Sequence, residues 1–172
     1  MLLIISDANI VEDIEVGELV TPMLSLDYQF AVPDVLYYEE LEDQHAHWLD
    51  MGLQTRTLSS KGVERVLSLA RTHARTGRNT LFALALAEIE QCPLLIGNAA
   101  LRQAAEAERL VVRDIIWLIA EMVREQRITV AVARAALQKM NARDRWLITS
   151  TDEEAYHHLV VDAVRGRGRA LH

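Results

Sequence analysis

The stretch Cys92–Glu106, CPLLIGNAALRQAAE, decides the fold. Leu94, Leu95 and Ile96 form an apolar run that ends at Gly97; Asn98 follows, and then a run of strong helix formers. Strand, turn and helix in that order make half of a βαβ unit. An open α/β sheet binds its ligands just past the carboxyl ends of its strands. At that place this chain carries an amide, Asn98, rather than a carboxylate.

The same alternation extends in both directions. LLII at 2–5 reads as a buried strand, and SDANIVEDIEVGELVTPML after it has helical spacing at Ile10, Val11, Ile14 and Leu19. YQFAVP at 28–33 is a second strand. PDVLYYEELEDQHAHWLDMG reads as one helix, with Asp34 as N-cap and Gly52 as stop. LQTRTLS at 53–59 is a third strand, followed by the amphipathic SSKGVERVLSLARTHAR and by RNTLFALALAEIEQ, which is apolar on most faces and therefore central. LVV at 110–112 is a short fifth strand, and DIIWLIAEMVREQ and TVAVARAALQKM are two further helices whose apolar faces either close the core or pair two copies of the chain. Met122 and Trp117 sit at helical spacing and read as core. Strands alternating with helices predict an α/β fold with a mostly parallel five-stranded sheet. Right-handed crossovers put helices on both faces, giving three layers. Residues 1–140 form this domain, and 141–172 form a C-terminal extension with a helix, DEEAYHHLVVDAV, and a basic tail, RGRGRALH.

Bulk properties narrow the function. The formal net charge of -7 argues against a general nucleic-acid coat protein, so any contact with RNA needs a local basic patch. Cys92 is the only cysteine, which excludes an intrachain disulfide or a thiolate metal cluster and suits a reducing, cytoplasmic setting. The longest apolar stretch is interrupted by Glu88, Glu90 and Pro93, so no membrane span is expected. His45 and His47 are two apart and read as surface residues, as do His157 and His158.

Several polar residues fall at the predicted strand ends. Asp7 follows the first strand and Asn98 the fourth. Glu40 lies in the helix after the second, and Asn79 and Thr80 open the central helix. Asp7 and Asn98 also suit helix capping, and Glu40 belongs to the acidic run 39–43, which suits a solvated helix face. Arg78 and Arg102 flank the crevice and suit a phosphate, and Asp114 follows the fifth strand. Gathered carboxylates repel one another, and a divalent cation with a preference for hard oxygen removes that repulsion.

The ordered segments SDANIVEDIEVGEL, FAVPDVLYYEELE, NTLFALALAE, CPLLIGNAALRQAAE and LVVRDIIWLIAEMV resemble a PIN domain over residues 1–140, and within that family the bacterial proteins grouped with VapC-type toxins. The resemblance implies Mg²⁺- or Mn²⁺-dependent cleavage of RNA by acidic residues at the strand ends, an antitoxin protein as partner, and a homodimer. Asp7 and Glu40 match the first two acidic positions and would be catalytic and metal-binding, with Glu39 the alternative to Glu40 if the register slips by one. The third falls on Thr80 and the fourth on Asn98, which leaves both as weak oxygen ligands. The implied function is a VapC-type PIN protein with weak or lost catalysis, or a non-catalytic RNA- or protein-binding module of a toxin–antitoxin system.

Overall fold

The computed structural model describes residues 1–97 and 99–142, in two compact units. Met1–Val11 and Asp27–Asp114 make the first; Glu12–Leu26 and the chain from Ile115 make the second. The expected helix at 152–164, the basic tail, His157, His158 and Asn98 lie outside the described residues.

The first unit is built on a five-stranded sheet of β1 (Leu2–Ile5), β2 (Gln29–Pro33), β3 (Gln54–Arg56), β4 (Leu94–Ile96) and β5 (Val112–Asp114), in the order β3-β2-β1-β4-β5. Every pairing is parallel: Ile4 lies opposite Ala31 and Leu94, Ala31 opposite Gln54, and Leu94 opposite Val112. Parallel strands are buried on both faces and read as continuous apolar runs, as β1 and β4 do. Side chains alternate across the sheet. Ile4, Ala31, Leu94 and Ile96 join one core with α6 (Ser60–Thr72), α7 (Arg78–Glu90) and α8 (Ala99–Ala107). Leu3, Ile5, Phe30, Val32 and Leu95 point the other way and are equally buried. The step from β2 to β3 runs opposite to those from β3 to β4 and β4 to β5. Crossover handedness therefore assigns α3 (Asp34–Leu36), α4 (Glu42–His45) and α5 (His47–Asp50) to the second face.

α7 is the central helix, with Leu81 and every residue from Ala83 to Ala87 buried. Its alanines admit close approach to the strands, and its leucines fill the space between. Ser59 caps α6 by accepting from the Gly62 amide at 3.3 Å. Cys92 is buried and its thiol is pushed up to about 11, mainly by desolvation, which leaves it protonated at neutral pH.

The structure departs from the sequence expectations at several points. The helix expected after β2 is not continuous: a π-helical turn, Tyr37–Leu41, separates α3 from α4, and Ala46 separates α4 from α5. Pro33 occupies the N-cap position, and Asp34 is the first helical residue. Its carboxylate accepts from the Val35 amide at 2.8 Å and from Thr57 Oγ1 at 2.7 Å, which ties the ends of β2 and β3 together. β5 lies two residues later than expected, because pairing with β4 selects Val112–Asp114 over the more apolar 110–112. His45, expected at the surface, is buried.

In the second unit, α1 (Ala8–Val16) ends in a turn where Glu18 adopts a φ of 57°, and α2 (Val20–Leu24) follows as a separate helix. α9 (Ile115–Arg124) packs with α10 (Val130–Asn141) and buries Ile115, Leu118, Ile119, Met122 and Val123, while Trp117 is half-buried. Ala133, Ala136, Leu137 and Met140 of α10 are buried too, so much of the apolar surface considered for pairing two copies is already enclosed. Thr129 caps α10, and Lys139 pairs with Glu18. Among the described residues no helix is long and apolar enough to cross a membrane.

Candidate functional site at the carboxyl edge of the sheet

The parallel sheet brings the ends of β1 and β4 side by side. Ser6 donates a backbone hydrogen bond to Leu95 at 3.1 Å. Asp7 follows immediately. One carboxylate oxygen accepts from Ser6 Oγ at 3.0 Å, and the other from the Asn9 amide at 3.0 Å in the first turn of α1. Asp7 therefore does cap its helix, as a strand-end aspartate commonly does.

Across from it lies Gly97. A Cβ placed there would stand 3.4 and 3.5 Å from the two carboxylate oxygens of Asp7 and 3.2 Å from Ile10 Cγ1. Gly97, which carries no side chain, thus lies against Asp7 at the end of β4. Only the closeness of β1 and β4 reveals this.

Burial pushes the Asp7 carboxyl above its ordinary range, against the lowering effect of its bonds to Ser6, Ile10 and Asn9. A carboxyl that holds its proton more tightly when folded contributes stability that is full below the unfolded value and is lost as pH rises through the folded one. Asp7→Asn stays neutral at every pH and keeps one oxygen to accept from the Asn9 amide. It should melt at a higher temperature than the parent at pH 7, the gap closing below the ordinary carboxyl value of 3.8. An equal or lower melting temperature at pH 7 would remove burial as the dominant influence on this group.

A second cluster forms where the π-helical turn meets the start of α7. A helix that crosses back over a parallel sheet begins at the carboxyl edge of the strands, so Arg78, Asn79 and Thr80 stand at that edge. Asn79 Nδ2 donates to Glu40 Oε1 at 2.5 Å and to Glu39 Oε2 at 3.1 Å. Arg78 pairs with the other oxygen of Glu39 and holds that carboxyl below its usual range, with Asn79 assisting. The contact is exposed, with Arg78 at 64% and Glu39 at 45%, so solvent and salt screen it strongly. Thr80 is half-buried in the same turn. Asn79 reaches both acids; the sequence resemblance puts the third acidic position on Thr80, with Asn79 beside it.

The flanking candidates have partners of their own. Arg102 Nη2 donates to Asp114 Oδ2 at 2.8 Å, and Arg102 Nη1 lies 3.9 Å from Glu106. Asp114, the last residue of β5, is thereby bound into an ion pair beside α8.

Among the described residues no three of His, Cys, Asp or Glu gather as a metal-binding group. Of the described candidate ligands, Asp7 is engaged by Ser6 and the start of α1, and Glu39 and Glu40 by Arg78 and Asn79. These described side chains do not by themselves fit the carboxylate-rich cation site that the resemblance implies, because hard divalent ions depend on the number and charge of their oxygen ligands.

A family model described as a PIN domain matches residues 3–159. A search of curated proteins finds no match. Among solved structures, the chain is similar to a PilT N-terminus domain protein from the hyperthermophilic archaeon Sulfolobus solfataricus P2. That match has a TM-score of 0.53 and 16% identity, and covers 72% of this chain and 94% of that one. A further likeness is to VapBC2 from Rickettsia felis, crystallised with a DNA fragment from its promoter, at a TM-score of 0.49 and 16% identity over 66% of this chain and 98% of that one. At such identity the archaeal match speaks to the fold alone.

Proposed function

Because the chain belongs to the PIN domain family, we propose that it is a VapC-type protein of nuclease ancestry that binds RNA with weak or lost catalysis. The observation that carries this reading is the state of the acidic edge. Its described carboxylates are taken up by donors of the chain. An antitoxin partner, a homodimer and a cytoplasmic setting are part of the same proposal and rest on family membership. In an active relative a divalent ion would supply the water-activating chemistry. Here the chain's own contribution is to hold phosphates.

Arg78 is the residue proposed for that role. It is exposed and belongs to the segment RTHARTGRN, 71–79, which has three arginines and no acidic residue in a chain of net charge -7. Arg102 is the second candidate and meets a phosphate only in competition with Asp114. Glu39 competes with an RNA phosphate for Arg78 in the same way. Glu39→Gln should therefore tighten binding of a single-stranded RNA by up to about fivefold, the scale of an exposed ion pair. Arg78→Gln should weaken it and flatten the salt dependence.

The decisive experiment is an RNA binding titration beside a cleavage assay in Mg²⁺ and Mn²⁺. Salt-sensitive binding without cleavage above background is the expected result. Robust metal-dependent cleavage that disappears in Asp7→Ala would overturn the reading, as would a Glu39→Gln variant that binds no tighter than the parent.

A further inference from the structure

Glu39 and Glu40 are consecutive, and on a regular helix consecutive side chains diverge by about 100°. Here both reach one nitrogen, Nδ2 of Asn79, at 3.1 and 2.5 Å. They lie in the π-helical turn Tyr37–Leu41, whose wider winding alters where neighbouring side chains point. An amide nitrogen carries two hydrogens, so each carboxylate takes one. Arg78 closes the remaining side of Glu39 with a fixed positive charge. Two adjacent carboxylates need a proton, a cation or several donors to lie together. The chain supplies donors.

We propose that Arg78 and Asn79 take the place of a divalent cation at Glu39 and Glu40, so that the carboxylate pair is organised by the protein's own donors and does not require Mg²⁺ or Mn²⁺. Asn79 bridges the two carboxylates as a shared ion would, and Arg78 provides charge. The inference concerns cation binding alone and stands whether or not RNA is a ligand.

The test uses the intact chain, stripped of metal with a chelator. Mn²⁺ and Mg²⁺ are then titrated by calorimetry and by thermal melting. The parent should show no saturable heat and essentially no shift in melting temperature at millimolar Mn²⁺. Asn79→Asp replaces the bridging donor by a third carboxylate. It should melt lower without metal and recover by roughly 3 °C or more in millimolar Mn²⁺, as linkage requires of a ligand that binds the folded state. If Asn79→Asp does not fold, Arg78→Glu carries the same arm, since it converts an exposed cation at a helix start, where an acid is tolerated, into a ligand. Saturable Mn²⁺ binding by the parent, lost in Glu39→Gln or Glu40→Gln, would overturn the proposal. So would a folded Asn79→Asp or Arg78→Glu that remains indifferent to Mn²⁺. The inference rests on the same acidic edge as the functional reading, and the two fail separately: saturable Mn²⁺ binding without RNA cleavage sinks this inference alone, whereas metal-dependent RNA cleavage lost in Asp7→Ala sinks the functional reading.

Discussion

Trp48→Ala should lower the stability of the chain by about 3–5 kcal/mol, the range for truncating a large buried aromatic residue. Trp48 is fully enclosed and sits in α5, where its carbonyl accepts from the Leu53 amide at 2.9 Å just ahead of β3. It anchors the far end of the segment that leaves β2 and carries Glu39 and Glu40. A domain of this kind has roughly 5–15 kcal/mol in total, so the loss is a large share of what holds it. Denaturant unfolding of parent and variant measures it. A loss below about 1 kcal/mol would show that the helical segment from Asp34 to Asp50 is not packed as described. Because the segment is already broken by the π-helical turn and at Ala46, it has little helical propensity to fall back on once its anchor is removed.

The second large effect is on α7. Leu84→Ala should cost about 2–5 kcal/mol, and Ile89→Ala on the same helix no more than about 1 kcal/mol. Leu84 is completely buried in the core that α7 shares with the sheet, α6 and α8, whereas Ile89 is 49% exposed. A cavity at Leu84 weakens the seating of the helix on the sheet, and the site depends on that seating, since Arg78 and Asn79 are its first two residues. The paired variants separate tertiary packing from helix propensity, which is nearly the same for both changes. Equal losses at the two positions would contradict the central placement of α7. A drop in RNA affinity in Leu84→Ala that is absent in Ile89→Ala would connect packing to the site.

Much of this architecture is legible in the residues. LLII and LLI are continuous apolar runs too short for helices, and their brevity and composition suffice to identify buried parallel strands. The central position of α7 follows from FALALA, which offers no polar face to solvent. Ser59 and Thr129 cap helices as such residues do. β5 was legible only as to its existence. Its register depends on which residues pair with Leu94–Ile96, and an edge strand needs fewer apolar side chains, so hydrophobicity pointed two residues too early. The π-helical turn carries no compositional mark, because YYEEL satisfies the periodicity of an ordinary helix equally well. His45 looked like a surface residue in a charged run and is enclosed, since its burial depends on what packs over that helix rather than on its neighbours in the chain.

The candidate site divides in the same way. Local sequence sufficed to place Asp7, Glu40 and the start of α7 at the carboxyl ends of strands, because strand–turn–helix order is a short-range property of the chain. Which groups face each other was decided by the tertiary structure. The β1–β4 pairing sets Gly97 against Asp7, and the π-helical turn sets Glu39 and Glu40 against Asn79. Residues thirty-nine or more positions apart meet only after the sheet has closed. Periodicity in a sequence registers which face a side chain occupies; opposition across strands and helices is a product of packing.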